Sequence, residues 1–141
     1  MEDVYIARAG ALSADRTTEK KIQALCKAAG LDMMVSEGDL TAVKVHFGER
    51  GNDAFVPALS VAAVIEEIKN LGAKPFLTDT NTLYLGGRRN SADHLETAAK
   101  HGFCYPVVSC PVIIADGLKG QNYEEVEVYG KHFDSVKIAS D

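Results

Sequence analysis

The sequence predicts an α/β domain with a mainly parallel central sheet, helices on its faces and an antiparallel carboxyl-terminal hairpin. Three observations carry this. Short β-type runs alternate with segments of helical periodicity; residues 41–78 read as strand, helix, strand; and two β-rich segments flank Gly130-Lys131 near the end of the chain. Alternating strands and helices build parallel sheets, because each helix returns the chain to the edge where the previous strand began.

Taken in order, Val4 to Ala9 is a β-type run ending at Gly10 and reads as a first strand, and Ala11 to Arg16 as a loop. Thr17 or Thr18 caps a helix in which Ile22, Leu25, Cys26 and Ala29 recur at helical spacing before Gly30 closes it. This helix is expected to cover the sheet. Leu31 to Val35 is ambiguous, and Ser36 to Asp39 is a turn into the next strand.

Thr41 to Phe47 is the second strand, with Val43, Val45 and Phe47 on one face and Ala42, Lys44 and His46 on the other. A mid-strand lysine is costly to bury alone, so Lys44 is expected either to meet a carboxylate or bound anion, or to lie on a bare surface face. The loop Gly48-Glu49-Arg50-Gly51-Asn52 follows. Pro57 suits the first turn of a helix whose Val61, Val64, Ile65, Ile68 and Leu71 share a face up to Gly72. With the strand Lys74 to Thr78 it completes a βαβ unit, whose two outgoing loops open at the same sheet edge. Asn90 or Ser91 then caps a third helix with Leu95, Ala98, Ala99 and Gly102 as its packed stripe. Tyr105 to Val108 and Val112 to Ala115 read as further strands. Tyr123 to Tyr129 and His132 to Ile138 read as a hairpin with a II′-type turn at Gly130-Lys131.

The functional signal concentrates between Lys74 and His94. There a buried run ends in Asp79-Thr80-Asn81-Thr82, followed by Gly86-Gly87 and Arg88-Arg89 before a helix start. Ligands of open parallel sheets bind beyond the carboxyl ends of the strands, which is where Asp79 and Asn81 fall. An Asx-turn feeding a plain loop is the other reading of these residues. Lys44, Arg88 and Arg89, with the helix N-terminus carrying Asp93 and His94, make an anion subsite; Asp79 and Asn81 orient the ligand, with Glu49 and Asn52 as further ligand-binding candidates; His46 and His94 are the proton-transfer candidates. The same loops supply His46, Glu49, Asp79 and His94 as an alternative divalent-metal set, and a noncatalytic anion-binding module is a further alternative. His101, at a helix C-terminus, falls outside the site. Asp116-Gly117 is either a strand-end functional aspartate or a turn pair.

Composition bounds the rest. The 141 residues suit one domain, and the net charge of −5 with few basic runs argues against a nucleic-acid surface. No apolar run approaches the roughly 20 residues of a membrane span, and the expected location is cytoplasmic. Cys26, Cys104 and Cys110 are odd in number and irregularly spaced, fitting reduced thiols; no cluster ligand set stands in this chain.

KVHFGERGN (Lys44 to Asn52), KPFLTDTNTLY (Lys74 to Tyr84), RRNSADHLETAAKHGF (Arg88 to Phe103) and IIADGLKG (Ile113 to Gly120) together resemble the amino-terminal region of the family called domain of unknown function 362. Members are commonly described as iron–sulfur or ferredoxin-linked proteins. The resemblance implies a redox neighbourhood and a ferredoxin-like domain or redox partner, with any iron–sulfur cluster on a segment beyond this one. It also implies that this chain is the front portion of a longer protein, or a short member, and lacks complete enzymatic activity by itself. The residues locate a ligand site for a small anionic molecule without naming a reaction.

Overall fold

Three parallel strands, wound in chain order, form the frame that positions everything else. The computed structural model describes residues 3–8, 10 and 17–141. The helices α1 (Thr18–Ala28) and α2 (Leu31–Met34) lead into β1 (Leu40–Lys44); α3 (Ala58–Asn70) connects β1 to β2 (Lys74–Asp79). From there α4 (Ser91–Lys100) and α5 (Tyr105–Val108) lead to β3 (Val112–Ile114), and β4 (Tyr123–Glu127) and β5 (Ser135–Ala139) form a separate antiparallel pair. The sheet order is β1-β2-β3, both pairings being parallel, with Val43 beside Leu77 and Leu77 beside Val112.

The predicted βαβ unit is present, and its register explains where β1 stops. Lys44 pairs with Thr78, and Val45 N–H still donates to the Thr78 carbonyl at 3.0 Å. Two residues on, β2 has run out, so Phe47 has no partner strand and the expected end of β1 at Phe47 moves back to Lys44. The alternation survives the shortening. Phe47 is fully buried, whereas Ala42, Lys44 and His46 are exposed.

Burial is concentrated on one face of the sheet. Phe47 just past β1, with Leu77 and Ile114 from the strands, meets Val61 and Ile65 of α3, Ala98 of α4 and Val108 of α5 in one cluster. The expected helix stripes are met unevenly. On α3 the buried residues are Ala58, Val61, Ala63, Ile65 and Ile68, close to the periodic pattern. On α4 they are Ser91, His94, Thr97 and Ala98, while Leu95 and Ala99 are exposed. The stripe is rotated because this helix turns its polar residues onto the strand-end network described below.

Four further expectations are corrected. Val4 to Arg8 forms no strand; Val4 and Ile6 are exposed, and β propensity without a neighbouring ladder does not make a strand. Ala9 and the loop expected over Ala11 to Arg16 lie outside the described residues. The first helix has Thr17 as its cap, accepting from Lys20 N–H, but it packs chiefly on α3 and buries no residue of its own, so it does not cover the sheet as expected. Tyr105 to Val108 is a single helical turn, not a strand: Pro106 sits in its first turn, where its missing N–H costs nothing. The carboxyl-terminal pair is a hairpin, but its connection spans residues 128–134, closed by Val128 N–H on the Asp134 carbonyl at 2.8 Å. A II′ turn needs a positive φ at its first central residue, and Gly130 does not have one.

The rotated stripe on α4 gives a direct check. Leu77→Ala should lower stability by about 2–5 kcal/mol in chemical denaturation, whereas Leu95→Ala should change it by no more than about 0.5 kcal/mol.

Candidate functional site

Two loops leave the carboxyl ends of β1 and β2 and are pinned together by a buried charge. The Arg88 side chain is 5% exposed; its Nη1 donates to Asp79 Oδ2 at 3.2 Å, its Nε to Glu49 Oε2 at 3.4 Å and its Nη2 to the Tyr84 hydroxyl at 2.7 Å. The Tyr84 hydroxyl in turn donates to Glu49 Oε2 at 3.0 Å. Glu49 also accepts at Oε1 from the Gly87 and Arg50 amides, each at 3.0 Å. Burial works against ionising Glu49, but the amides of Arg50 and Gly87, the Tyr84 hydroxyl and Arg88 outweigh it and lower its pKa to about 2.

Lys44 completes the group. Its Nζ lies 3.4 Å from Asp79 Oδ1; Asp79 is buried, whereas the lysine side chain is 72% exposed. The expected carboxylate partner of Lys44 is therefore Asp79. Two carboxylates and two cations balance within this cluster.

Below it, His94 is fully buried on α4, edge-on to Phe47 with centroids 5.6 Å apart, and its Nε2 stands 3.7 Å from Asp79 Oδ2. Neither ring nitrogen has a hydrogen-bond partner. Burial lowers its pKa below 6.5, opposed by the Asp79 carboxylate and reinforced by Arg88. The ring is thus neutral at neutral pH, with unused hydrogen-bonding capacity beside Asp79.

A second clamp joins the loop after β2 to the loop after β3. Asp116 is buried and accepts from the Asn81 amide at 3.0 Å on each oxygen and from Asn81 Nδ2 at 2.8 Å. Ser91 Oγ donates to the Gly117 carbonyl at 2.8 Å, tying the start of α4 to the same loop. The register foretells this contact: Asp79 pairs with Ile114, so the residues two positions further on, Asn81 and Asp116, come side by side.

The remaining candidates lie apart from this cluster. Asn52 closes a local turn, its Oδ1 accepting from Ala54 N–H at 2.7 Å. Asp93 bonds the cap residue Asn90 and faces Arg50 at 3.6 Å. Arg89 is exposed and makes no hydrogen bond or ion pair among the described residues. His46 is exposed; its Nδ1 accepts from Gly48 N–H at 3.0 Å, and it lines a shallow groove with Ala54, Phe55 and Val56. His101 is structural: the Phe47 carbonyl accepts from its Nδ1 at 2.7 Å, and its ring stacks on Phe55 at 4.4 Å. The structure therefore gathers Lys44, Glu49, Asp79, Arg88 and His94, adds Tyr84, and holds Asn81 on the Asp116 clamp. Sequence reasoning passed over Tyr84, whose loop position gives no sign that its hydroxyl turns inward.

Metal-ligand geometry is a separate question. Cys26 lies on α1, Cys104 caps α5 and Cys110 is in the core. Among the described residues no three His, Cys, Asp or Glu side chains are placed to hold a metal ion, and no helix is long and apolar enough to cross a membrane.

An α/β domain with a polar, charge-balanced cluster at the carboxyl edge of a parallel sheet is the class of protein these features define. The family model described as domain of unknown function (DUF362) matches residues 41–141, and the chain belongs to that family. Comparison with curated proteins found no match, and comparison with solved structures found none.

The ionisation of Glu49 makes stability acid-sensitive in a defined window. A carboxylate whose pKa is depressed on folding contributes stability above its unfolded value of 4.5, and that contribution is lost as pH falls toward about 2. With solvent screening, Glu49→Gln should therefore cost about 1–2 kcal/mol at neutral pH. In urea titrations across pH, the gap to wild type should close between pH 4.5 and about 2. His94 acts in the same direction at higher pH: wild type should weaken as pH falls below 6.5, and a His94→Gln variant should lose that part of the slope.

Proposed function

We propose that the carboxyl edge of the sheet binds a small anionic molecule, with Lys44 as its charged contact and Asp79, Arg88 and Glu49 as the frame holding that contact in place. The observation that carries this reading is the Lys44–Asp79 pair. A buried carboxylate fixes one side of the ammonium, and the rest of that ammonium faces solvent at the edge where parallel sheets bind ligands. Arg89, exposed and unpaired among the described residues, adds positive charge just before the N-terminus of α4.

In this reading Arg88 is part of the frame, because its guanidinium is committed to Asp79, Glu49 and Tyr84. The neutral His94 ring is fully buried 3.7 Å from Asp79, so in this reading it acts through that carboxylate and does not touch the ligand. The redox association implied by the family resemblance belongs to a partner or another segment, with the present residues supplying the ligand site. A binding module without turnover would use the same cationic contact; assay of turnover separates the two.

The first experiment is a thermal-shift and calorimetric screen of organic acids and phosphorylated cofactors. Ligands that stabilise wild type should bind Lys44→Ala about tenfold more weakly, the equivalent of one charge-assisted hydrogen bond. Arg88→Ala should instead lose about 3–5 kcal/mol of stability without any ligand, because it strands two carboxylates. Equal stabilisation of wild type and Lys44→Ala by every ligand found would refute the site.

A further inference from the structure

The winding of the sheet leaves one of its faces without a helix among the described residues. Successive strands lie in the order β1-β2-β3, and crossovers of the same hand that advance in one direction fall on the same side. The core cluster agrees: Ala58, Val61 and Ile65 of α3, Ala98 of α4 and Val108 of α5 meet the face that carries Phe47, Leu77 and Ile114. On the opposite face Thr78, near the end of the middle strand, is buried, but Leu40 is 77% exposed, Ile113 is 39% exposed, Ala42 and Lys74 are exposed, and Phe76 is only half-buried. Parallel sheets are nearly always covered on both faces, so this surface is out of keeping with its own architecture.

A second uncovered element stands on the same chain. The β4–β5 hairpin is rooted at the end of β3, where Asn122 N–H donates to the Asp116 carbonyl at 2.9 Å and Asp141 N–H to the Ala115 carbonyl at 3.1 Å. Beyond that root both strands are largely exposed, although an isolated two-stranded hairpin is marginal in water. One of its faces carries Val126, Val136 and Ile138, at 40%, 36% and 52% exposure, together with Glu124.

We infer that these two surfaces cover each other between two copies of this chain, the hairpin of each copy lying on the open sheet face of the other. Sheet-on-sheet packing joins surfaces of this kind about 10 Å apart. Charge selects the hairpin as occupant over a second open face: pairing two open faces would set Lys44 and Lys74 against their own copies. The hairpin instead brings Glu124 to a face that carries Lys74. Reciprocal exchange makes two equivalent contacts about a twofold axis and closes the assembly at a dimer.

The test is the mass in solution, by light scattering on the intact chain over a range of concentrations. The expected mass is twice 15.1 kDa. Val126→Asp on the hairpin and Ile113→Asp on the open face should each give a monomer with an unchanged circular dichroism spectrum. Mixing the two variants should restore a weaker dimer, because one intact hairpin then meets one intact face. A wild type that stays monomeric at high concentration overturns the inference. A dimer that survives both substitutions, or variants that fail to complement while remaining folded, overturn it equally.

Discussion

The guanidinium of Arg88, 5% exposed between Asp79 and Glu49, is the interaction on which the carboxyl edge of this domain depends. Withdrawing such a charge from water is costly, and only close, well-directed partners offset it. Asp79 comes from the end of β2, Glu49 from the loop after β1 and Tyr84 from the loop after β2, so satisfying one side chain fixes two loops at once. The Asn81–Asp116 clamp adds the third loop. The edge is thus assembled by polar contacts, while the apolar cluster below holds the strands that present them.

This division explains the unusual inner face of α4. A surface helix normally turns its aliphatic residues inward, yet here Ser91, His94 and Thr97 are buried and Leu95 is not. Thr97 Oγ1 donates to the Gly87 carbonyl and accepts from Arg50 Nε, so the helix is docked partly by hydrogen bonds to the same loops that carry the charges. Gly87 belongs to that arrangement: a Cβ there would stand 2.7 Å from Arg50 Cγ.

Much of the frame was legible because it rests on local pattern. Period-two alternation identified the faces of β1, helical spacing with Pro57 and Gly72 framed α3, and the βαβ rule brought the loops bearing Glu49 and Asp79 to one edge. The two readings left open for Lys44, a carboxylate partner and a bare surface face, both describe it: its ammonium lies 3.4 Å from Asp79 and its side chain is exposed. What stayed hidden depends on tertiary context. The strand propensity of Val4 to Arg8 and Tyr105 to Val108 was overridden by the absence of a ladder and by Pro106 at a helix start. Arg88 read as a ligand contact, since nothing local reveals that two carboxylates and a tyrosine converge on it. The Asn81–Asp116 contact needed the β2–β3 register, which no single strand encodes.

The exit from β1 limits which sequences this fold can accept. Gly48 holds φ +85°, and a Cβ placed there would lie 2.5 Å from His101 Nδ1 and 2.6 Å from Phe55 Cδ1. Backbone conformation and space forbid a side chain independently, so relieving the crowding alone would still leave a strained residue. Position 48 therefore discriminates among related chains: one that carries alanine or anything larger there must route its first loop differently and surrender the His101 bond to the Phe47 carbonyl. In such a chain a glutamate at the position of Glu49 would no longer be delivered to the arginine.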